Sequence, residues 1–277
     1  MIELVMNAFP RTGSTILWRM VKEANPDALH LYEPLHDKLF RLIEEEGSVM
    51  HGTSLWDDYK KISPKPLNEM RLKHRDCTNL FRLHDIQRYL DVINSIEGRV
   101  ILQPNRMHFI LKDVAQRYDC KVVHLTRAPA DCFLGFAEIF AMYGRNLTEN
   151  YNWWIDNIYG FVGFFYNQYN AMVEKFHAPN VADFLDKWLV VWTYQNYYAV
   201  EQADGEEVIT VSLEDIADGT GIEKIEDFSG LKLGRGLIDK KRVFVADEAF
   251  KETVDERIGS LGLRAMADAI SEAATFK

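Results

Sequence analysis

The chain has 277 residues, 47% of them hydrophobic, enough to bury a full core as one α/β domain with insertions. A formal net charge of -10 argues against a general nucleic-acid binder, which advertises a basic footprint, so an anionic ligand needs a local basic pocket. Three widely separated cysteines, Cys77, Cys120 and Cys132, make no Cys-x-x-Cys pair or metal-ligand cluster and fit a reducing, cytoplasmic setting. The first predicted strand, Ile2 to Ala8, starts so early that these residues hold no secretory signal. Asn146-Leu147-Thr148 then fits the glycosylation sequon only by chance.

That strand runs straight into Pro10-Arg11-Thr12-Gly13-Ser14-Thr15 and a helix predicted over Ser14 to Ala24. Backbone N–H groups at a helix start lack intrahelical partners and carry the positive end of the dipole, so a loop ending there suits phosphate or sulfate. Gly13 lets the backbone approach the anion, Ser14 and Thr15 add hydroxyl donors, and Arg11 brings a planar cation. The segment resembles a P-loop but has no lysine after its glycine, and its cation lies two residues before it.

Further apolar runs follow at Ala28 to Tyr32, Arg99 to Leu102, Lys121 to Thr126 and Val208 to Val211. Between them the helical patterns are His36 to Glu46, His84 to Ser95, Arg106 to Tyr118, Pro129 to Tyr143, Trp153 to Phe176 and Val181 to Gln202. Continuous apolar strands alternating with helices predict a parallel sheet covered on both faces. Ligands of such sheets bind beyond the carboxyl ends of the strands. Arg11, Glu33, Asn105 and Arg127 all lie just after predicted strands and are expected to converge there. The basic stretch Lys60 to Arg75, with Pro64 and Pro66, reads as an irregular insertion at about 47–83, either lying over an anionic ligand or simply solvated. Tyr151 to Met172 is crowded with aromatics but carries Asp156 and several amides, so it falls short of a membrane span and reads as core, subunit contact or acceptor wall.

A second strand ending in arginine, Lys121-Val-Val-His-Leu-Thr-Arg-Ala-Pro-Ala-Asp131, joins the first motif and Leu31-Tyr-Glu-Pro-Leu-His36 in a pattern that resembles the sulfotransferases. These enzymes use 3′-phosphoadenosine 5′-phosphosulfate (PAPS). The likeness extends through Trp188 or Trp192 and Ser212-Leu-Glu-Asp215 to about residue 216. It implies a single sulfotransferase-like domain over residues 1–277, a P-loop-like three-layer α/β fold with a central parallel sheet flanked by helices. It also implies that Arg11, Thr12, Gly13, Ser14 and Thr15 hold the 5′-phosphosulfate and that Arg127 binds the 3′-phosphate. Gly135 stands where the family normally has a serine sharing that phosphate, and the basic turn Lys240-Lys-Arg242 is a weak candidate for the missing contact.

The acceptor hydroxyl must lose a proton as it attacks, and a base within reach helps. The family histidine that serves cytosolic members corresponds to Gln103-Pro104-Asn105 here, and asparagine takes no proton at neutral pH. Other branches use a glutamate after the second strand, so the resemblance points to Glu33 as base with His36 in reserve. A structural use of Glu33 beside the following helix dipole stays open, as does a surface ion pair for Arg127. The implied reaction moves a sulfuryl group from PAPS to a hydroxyl or amine of a small molecule or glycan, with no metal, no nucleic-acid partner and no integral membrane segment. Tyr-Glu-Pro-Leu-His is similar to a segment of carbohydrate sulfotransferases, and Tyr151, Trp153 and Trp154 suit a sugar ring, a phenol or a lipid alike. A homodimer stays open. The alternatives are a P-loop kinase, opposed by the missing Walker lysine and acidic Mg²⁺ strand end, and a non-catalytic nucleotide-binding relative.

Overall fold

The apolar run at the N-terminus forms strand β1, Ile2–Ala8, and it lacks polar alternation because both of its faces are buried. The structure, a computed structural model, describes residues 1–45, 47–48, 52–75, 77, 81–142, 161–236 and 245–275. The further strands are β2 (Leu29–Tyr32), β3 (Gly47–Ser48), β4 (Gly52–Thr53), β5 (Val100–Gln103), β6 (Lys121–Thr126) and β7 (Val208–Ser212). The helices are α1 (Ser14–Ala24), α2 (Leu39–Glu44), α3 (Pro64–His74), α4 (Leu83–Asn94), α5 (Leu111–Tyr118) and α6 (Pro129–Met142). After them come α7 (Phe161–Phe176), α8 (Phe184–Val200), α9 (Leu213–Asp218), α10 (Thr220–Ser229), α11 (Glu248–Ser260) and α12 (Arg264–Thr275). Two compact units result, Met1–Thr126 with Ala199–Lys241 and Arg127–Tyr198 with Arg242–Lys277.

The first unit holds a five-stranded, wholly parallel sheet in the order β2-β5-β1-β6-β7. Val5 of β1 lies level with Leu102 on one side and Val122 on the other, and all three are fully buried. Amphipathic helices cover the sheet: α1 buries Leu17, Trp18, Met20 and Val21, and α4 buries Ile86, Tyr89, Leu90 and Ile93. Because all five strands run the same way, β1, β2, β5 and β7 deliver their following loops to one edge of this unit.

Within the described residues of the segment expected to be irregular, the turn before α3 packs along the sheet edge. β2 ends the sheet, and the buried carboxylate of Asp58 accepts the His30 N–H at 3.0 Å while the Tyr59 hydroxyl donates to the Tyr32 carbonyl at 3.1 Å. Both residues belong to the 3-10 turn Asp57–Lys61, which thereby occupies polar backbone groups an edge strand leaves unpaired. Lys61 pairs with Asp58 at 2.7 Å, Lys60 with Asp57 at 3.3 Å and Arg71 with Glu44 at 2.7 Å, so much of the basic stretch is matched by acids of its own unit. Pro64 and Pro66 lie in the first turn of α3, where a missing N–H costs nothing, and the helix is regular rather than irregular.

β7 passes into α9 through a capping box. Ser212 Oγ accepts the Asp215 N–H at 3.0 Å, and Asp215 Oδ2 accepts the Ser212 N–H at 3.2 Å. Ser212→Ala is expected to cost about 1 kcal/mol, read as a lower urea midpoint at unchanged slope. An unchanged midpoint would show that Asp215 alone holds the junction.

The second unit is helical, with an aromatic core. Phe133 meets Trp188 edge-on at 5.2 Å and Phe136 meets Phe165 at 5.3 Å. Asp131 Oδ1 accepts the Ala246 N–H at 2.6 Å, and Arg257 bridges Asp183 and Asp186 at 2.7 and 2.8 Å. Of the aromatic segment, Phe165 and Tyr169 are buried and Tyr166 is exposed, the mixture expected of a core helix with one solvated face. Among the described residues no helix is long and apolar enough to cross a membrane.

Candidate active site

The chain leaves β1 at Ala8 and turns tightly, because Thr12 directs both its N–H and its hydroxyl to the Phe9 carbonyl, at 3.3 and 2.8 Å. Thr12 is fully buried, so its side chain braces the loop. Gly13 follows with φ +90°, and a Cβ there would stand 2.6 Å from Leu213 Cδ1. Left-handed backbone and close approach both demand glycine at this position. Gly13 also caps α1 without a side chain, and no acidic residue lies in the first turn, so the positive end of the helix is not neutralised by its own sequence. Ser14 is buried at that start, and Thr15 Oγ1 shares a 2.8 Å hydrogen bond with the Tyr32 hydroxyl.

Tyr32 thereby ties the loop to β2, and Glu33 is the next residue. The Glu33 N–H extends the β2–β5 ladder by donating to the Gln103 carbonyl at 2.8 Å. Its side chain accepts from Asn105 Nδ2 at 3.1 Å, and Asn105 Oδ1 in turn accepts from Gln103 Nε2. Arg106, mostly buried, donates to the Leu35 carbonyl at 3.1 Å and lies 3.4 Å from Asp37. Burial raises the Glu33 pKa above the ordinary glutamate range, against the pull of Arg106 and the Asn105 hydrogen bond, while Asp37 raises it further. Burial, helped by the Glu33 charge, also keeps the Tyr32 phenol protonated.

Backbone strain gathers at the same edge. Six non-glycine residues have positive φ among those described, and three are Arg11 at +73°, Glu33 at +45° and Asn105 at +55°. Each is one or a few residues beyond the end of a strand, and left-handed backbone costs arginine and glutamate about 1–2 kcal/mol each. Such strain persists where surrounding contacts fix it, and it clusters at functional sites.

Three of the four residues expected to converge, Arg11, Glu33 and Asn105, therefore follow neighbouring strands of one unit. Arg127 is buried and comes directly after Thr126, which is level with Ser212 in β7. Gly135 is buried in α6. His36 Nδ1 lies 3.0 Å from the Lys38 N–H and 3.4 Å from Asp37 Oδ1. Tyr151, Trp153, Trp154 and the turn Lys240 to Arg242 lie outside the described residues. Sequence reasoning missed the parts played by Tyr32, Arg106, Asp37 and Leu213. For Arg106 the signal was a cation just past a strand, whereas the Leu213 contact with Gly13 is tertiary and leaves no local mark.

The arrangement has the architecture of a known class. Over all of this chain and 97% of the other, it superposes on the crystal structure of a sulfotransferase from Alicyclobacillus acidocaldarius with a TM-score of 0.50 at 12% identity. A sulfotransferase domain from the Synechococcus PCC 7002 olefin synthase gives a TM-score of 0.44 at 13% identity, covering all of this chain and 95% of that one. The fold is thus that of the sulfotransferases, a parallel sheet flanked by helices with a P-loop-like first turn. No model of a known protein family matches the chain. It is 31% identical to an uncharacterized protein of Archaeoglobus fulgidus over 301 aligned positions, 95% of each chain, and it belongs to the same family as that protein.

Proposed function

We propose that this protein is a PAPS-dependent sulfotransferase acting on a hydroxyl or amine of a small molecule or glycan, with Glu33 as the base. The observation that carries the reading is the 2.8 Å bond between Thr15 and Tyr32, which ties the glycine-turned start of α1 to the residue that precedes the partly buried Glu33. The residues fit the donor: Gly13 turns the chain at φ +90°, and α1 opens with backbone N–H groups beside Ser14 and Arg11, with no acidic residue in its first turn. PAPS supplies the activated sulfuryl group, with adenosine 3′,5′-bisphosphate as its leaving part. Arg11 and the N–H groups of Ser14 and Thr15 bind the 5′ end and balance the charge that grows on the leaving phosphate. Arg127 takes the 3′-phosphate, with Gly135 adding no hydroxyl. Glu33 accepts the acceptor's proton at a carboxylate oxygen, and burial makes that oxygen a stronger base than an exposed glutamate.

Calorimetric titration with adenosine 3′,5′-bisphosphate, ADP and ATP tests the donor. The bisphosphate is expected to bind in preference to both. Arg127→Ala is expected to weaken it about 10–100-fold, the loss of one charge-assisted contact, while leaving ADP nearly unaffected because ADP has no 3′-phosphate. Tighter binding of ATP with Mg²⁺ would replace this reading with a kinase, and no binding of any of the three would leave a relative without a donor site.

A further inference from the structure

Gln103 poses a problem that fold stability does not solve. It is the last residue of β5 and fully buried, and its Oε1 has no hydrogen-bond partner. A buried carbonyl left this way costs about 1–3 kcal/mol, and an apolar residue of similar size at the same place would avoid the cost. The other end of the amide shows what is gained. Gln103 Nε2 donates to Asn105 Oδ1, and Asn105 Nδ2 donates to Glu33 Oε1 at 3.1 Å.

The direction of this chain is dictated by chemistry. A carboxylate only accepts, so Asn105 must turn its NH₂ toward Glu33 and its oxygen toward Gln103. Gln103 must then answer with its own NH₂, which sends Oε1 into the core without a partner. Reversing either amide would set oxygen against oxygen. After glycine, asparagine is among the residue types best able to hold the left-handed backbone that Asn105 has at φ +55°.

We propose that Gln103 and Asn105 are positioning residues: a two-amide chain that fixes the Glu33 carboxylate through Oε1 and leaves Oε2 to receive the acceptor's proton. This rests on the reading of Glu33 as base. The amides transfer no proton. They set the rotamer of a side chain on a strained backbone, and the donor at Oε1 favours the ionised form. The other charged groups acting on Glu33 are the Arg106 cation and the Asp37 carboxylate, and the Glu33 charge in turn raises the Tyr32 and Tyr59 phenols; none of these belongs to the amide pair.

The experiment is an infrared pH titration of the Glu33 carboxyl, assigned by difference from Glu33→Gln, in wild type, Asn105→Gly, Gln103→Leu and the double variant. Glycine accepts φ +55° without strain, and Asn105→Ser is the second choice should a cavity at 105 unfold the protein. Removing Asn105 is expected to move the Glu33 midpoint upward, because a donor to the ionised form is lost. Gln103→Leu is expected to move it the same way by less, and the double variant to match Asn105→Gly alone, since Gln103 acts only through Asn105. Thermal midpoints should show Gln103→Leu close to wild type, because the orphaned Gln103 Oε1 is exchanged for an Asn105 Oδ1 that has lost its donor. Identical Glu33 midpoints in wild type and Asn105→Gly, or shifts that simply add in the double variant, would overturn the proposal. Adenosine 3′,5′-bisphosphate affinity is measured on the same samples: its absence in wild type would sink the donor reading, whereas the carboxyl titration reports the amide chain independently.

Discussion

Glu33→Gln is expected to lower sulfuryl transfer by about 10²–10⁴-fold, the usual worth of a general base, while bisphosphate affinity stays within about twofold. The substitution is nearly isosteric. Glutamine at 33 keeps an oxygen that accepts from Asn105, so the amide chain and the backbone at φ +45° survive, and only the capacity to take a proton is lost. The pH profile carries the same information. Transfer needs the carboxylate, and burial raises the Glu33 pKa, so the acidic limb of the wild-type rate should lie above the ordinary glutamate value of 4.5. Stability has the opposite sign: a folded pKa above the unfolded one means that the native state binds more protons between the two values, so stability falls as pH rises through that window. Glu33→Gln removes this loss and is expected to melt higher than wild type near neutral pH, with the advantage shrinking as pH falls through that window and gone below about pH 4.5. A variant that transfers sulfuryl groups at the wild-type rate would remove Glu33 from the chemistry. A variant that loses bisphosphate binding as well would show that the carboxylate supports the loop instead.

How much of this was legible in the sequence varies with the distance over which each feature is determined. β1, α1 and β6 have the predicted boundaries because strand, glycine turn and helix start follow from neighbouring residues. The parallel class was legible as well, since strands buried on both faces lose their polar alternation. The helix predicted from Arg106 instead begins at Leu111. Asn105 has left-handed backbone, the Met107 N–H is held by Asn7 Oδ1 at 2.9 Å and Arg106 is drawn to the Leu35 carbonyl, all contacts from distant segments. The same limit governs the site. A glutamate after the second strand could be singled out, but its strained backbone and its amide partners depend on tertiary contacts. Pro64 and Pro66 misled in another way: they mark a helix start as readily as a loop, and no residue of α3 states that the preceding turn covers the edge of β2.

Gly13→Ala tests the other half of the site, and a second glycine makes the test quantitative. Gly13 and Gly219 have similar backbone, φ +90° and +98°, but a Cβ at Gly219 meets nothing within 4 Å whereas one at Gly13 falls 2.6 Å from Leu213 Cδ1. Gly219→Ala should therefore report the conformational cost alone, about 1–2 kcal/mol. Gly13→Ala adds the clash with a buried side chain, worth about 1–3 kcal/mol more, and is expected to lower stability by about 2–5 kcal/mol in urea. Leu213 is the buried first residue of α9, so a new rotamer for its side chain has to be found among packed neighbours. Relief through the loop moves Ser14, Thr15 and Arg11 away from the anion they are proposed to hold. Bisphosphate affinity should fall in Gly13→Ala and stay at the wild-type level in Gly219→Ala. Leu213→Ala in the Gly13→Ala background should return the steric part but not the conformational part, giving a coupling of about 1–3 kcal/mol in a double-mutant cycle. Equal losses in the two glycine variants, with no coupling to Leu213, would mean that the loop yields freely and that glycine is required at position 13 for its backbone alone.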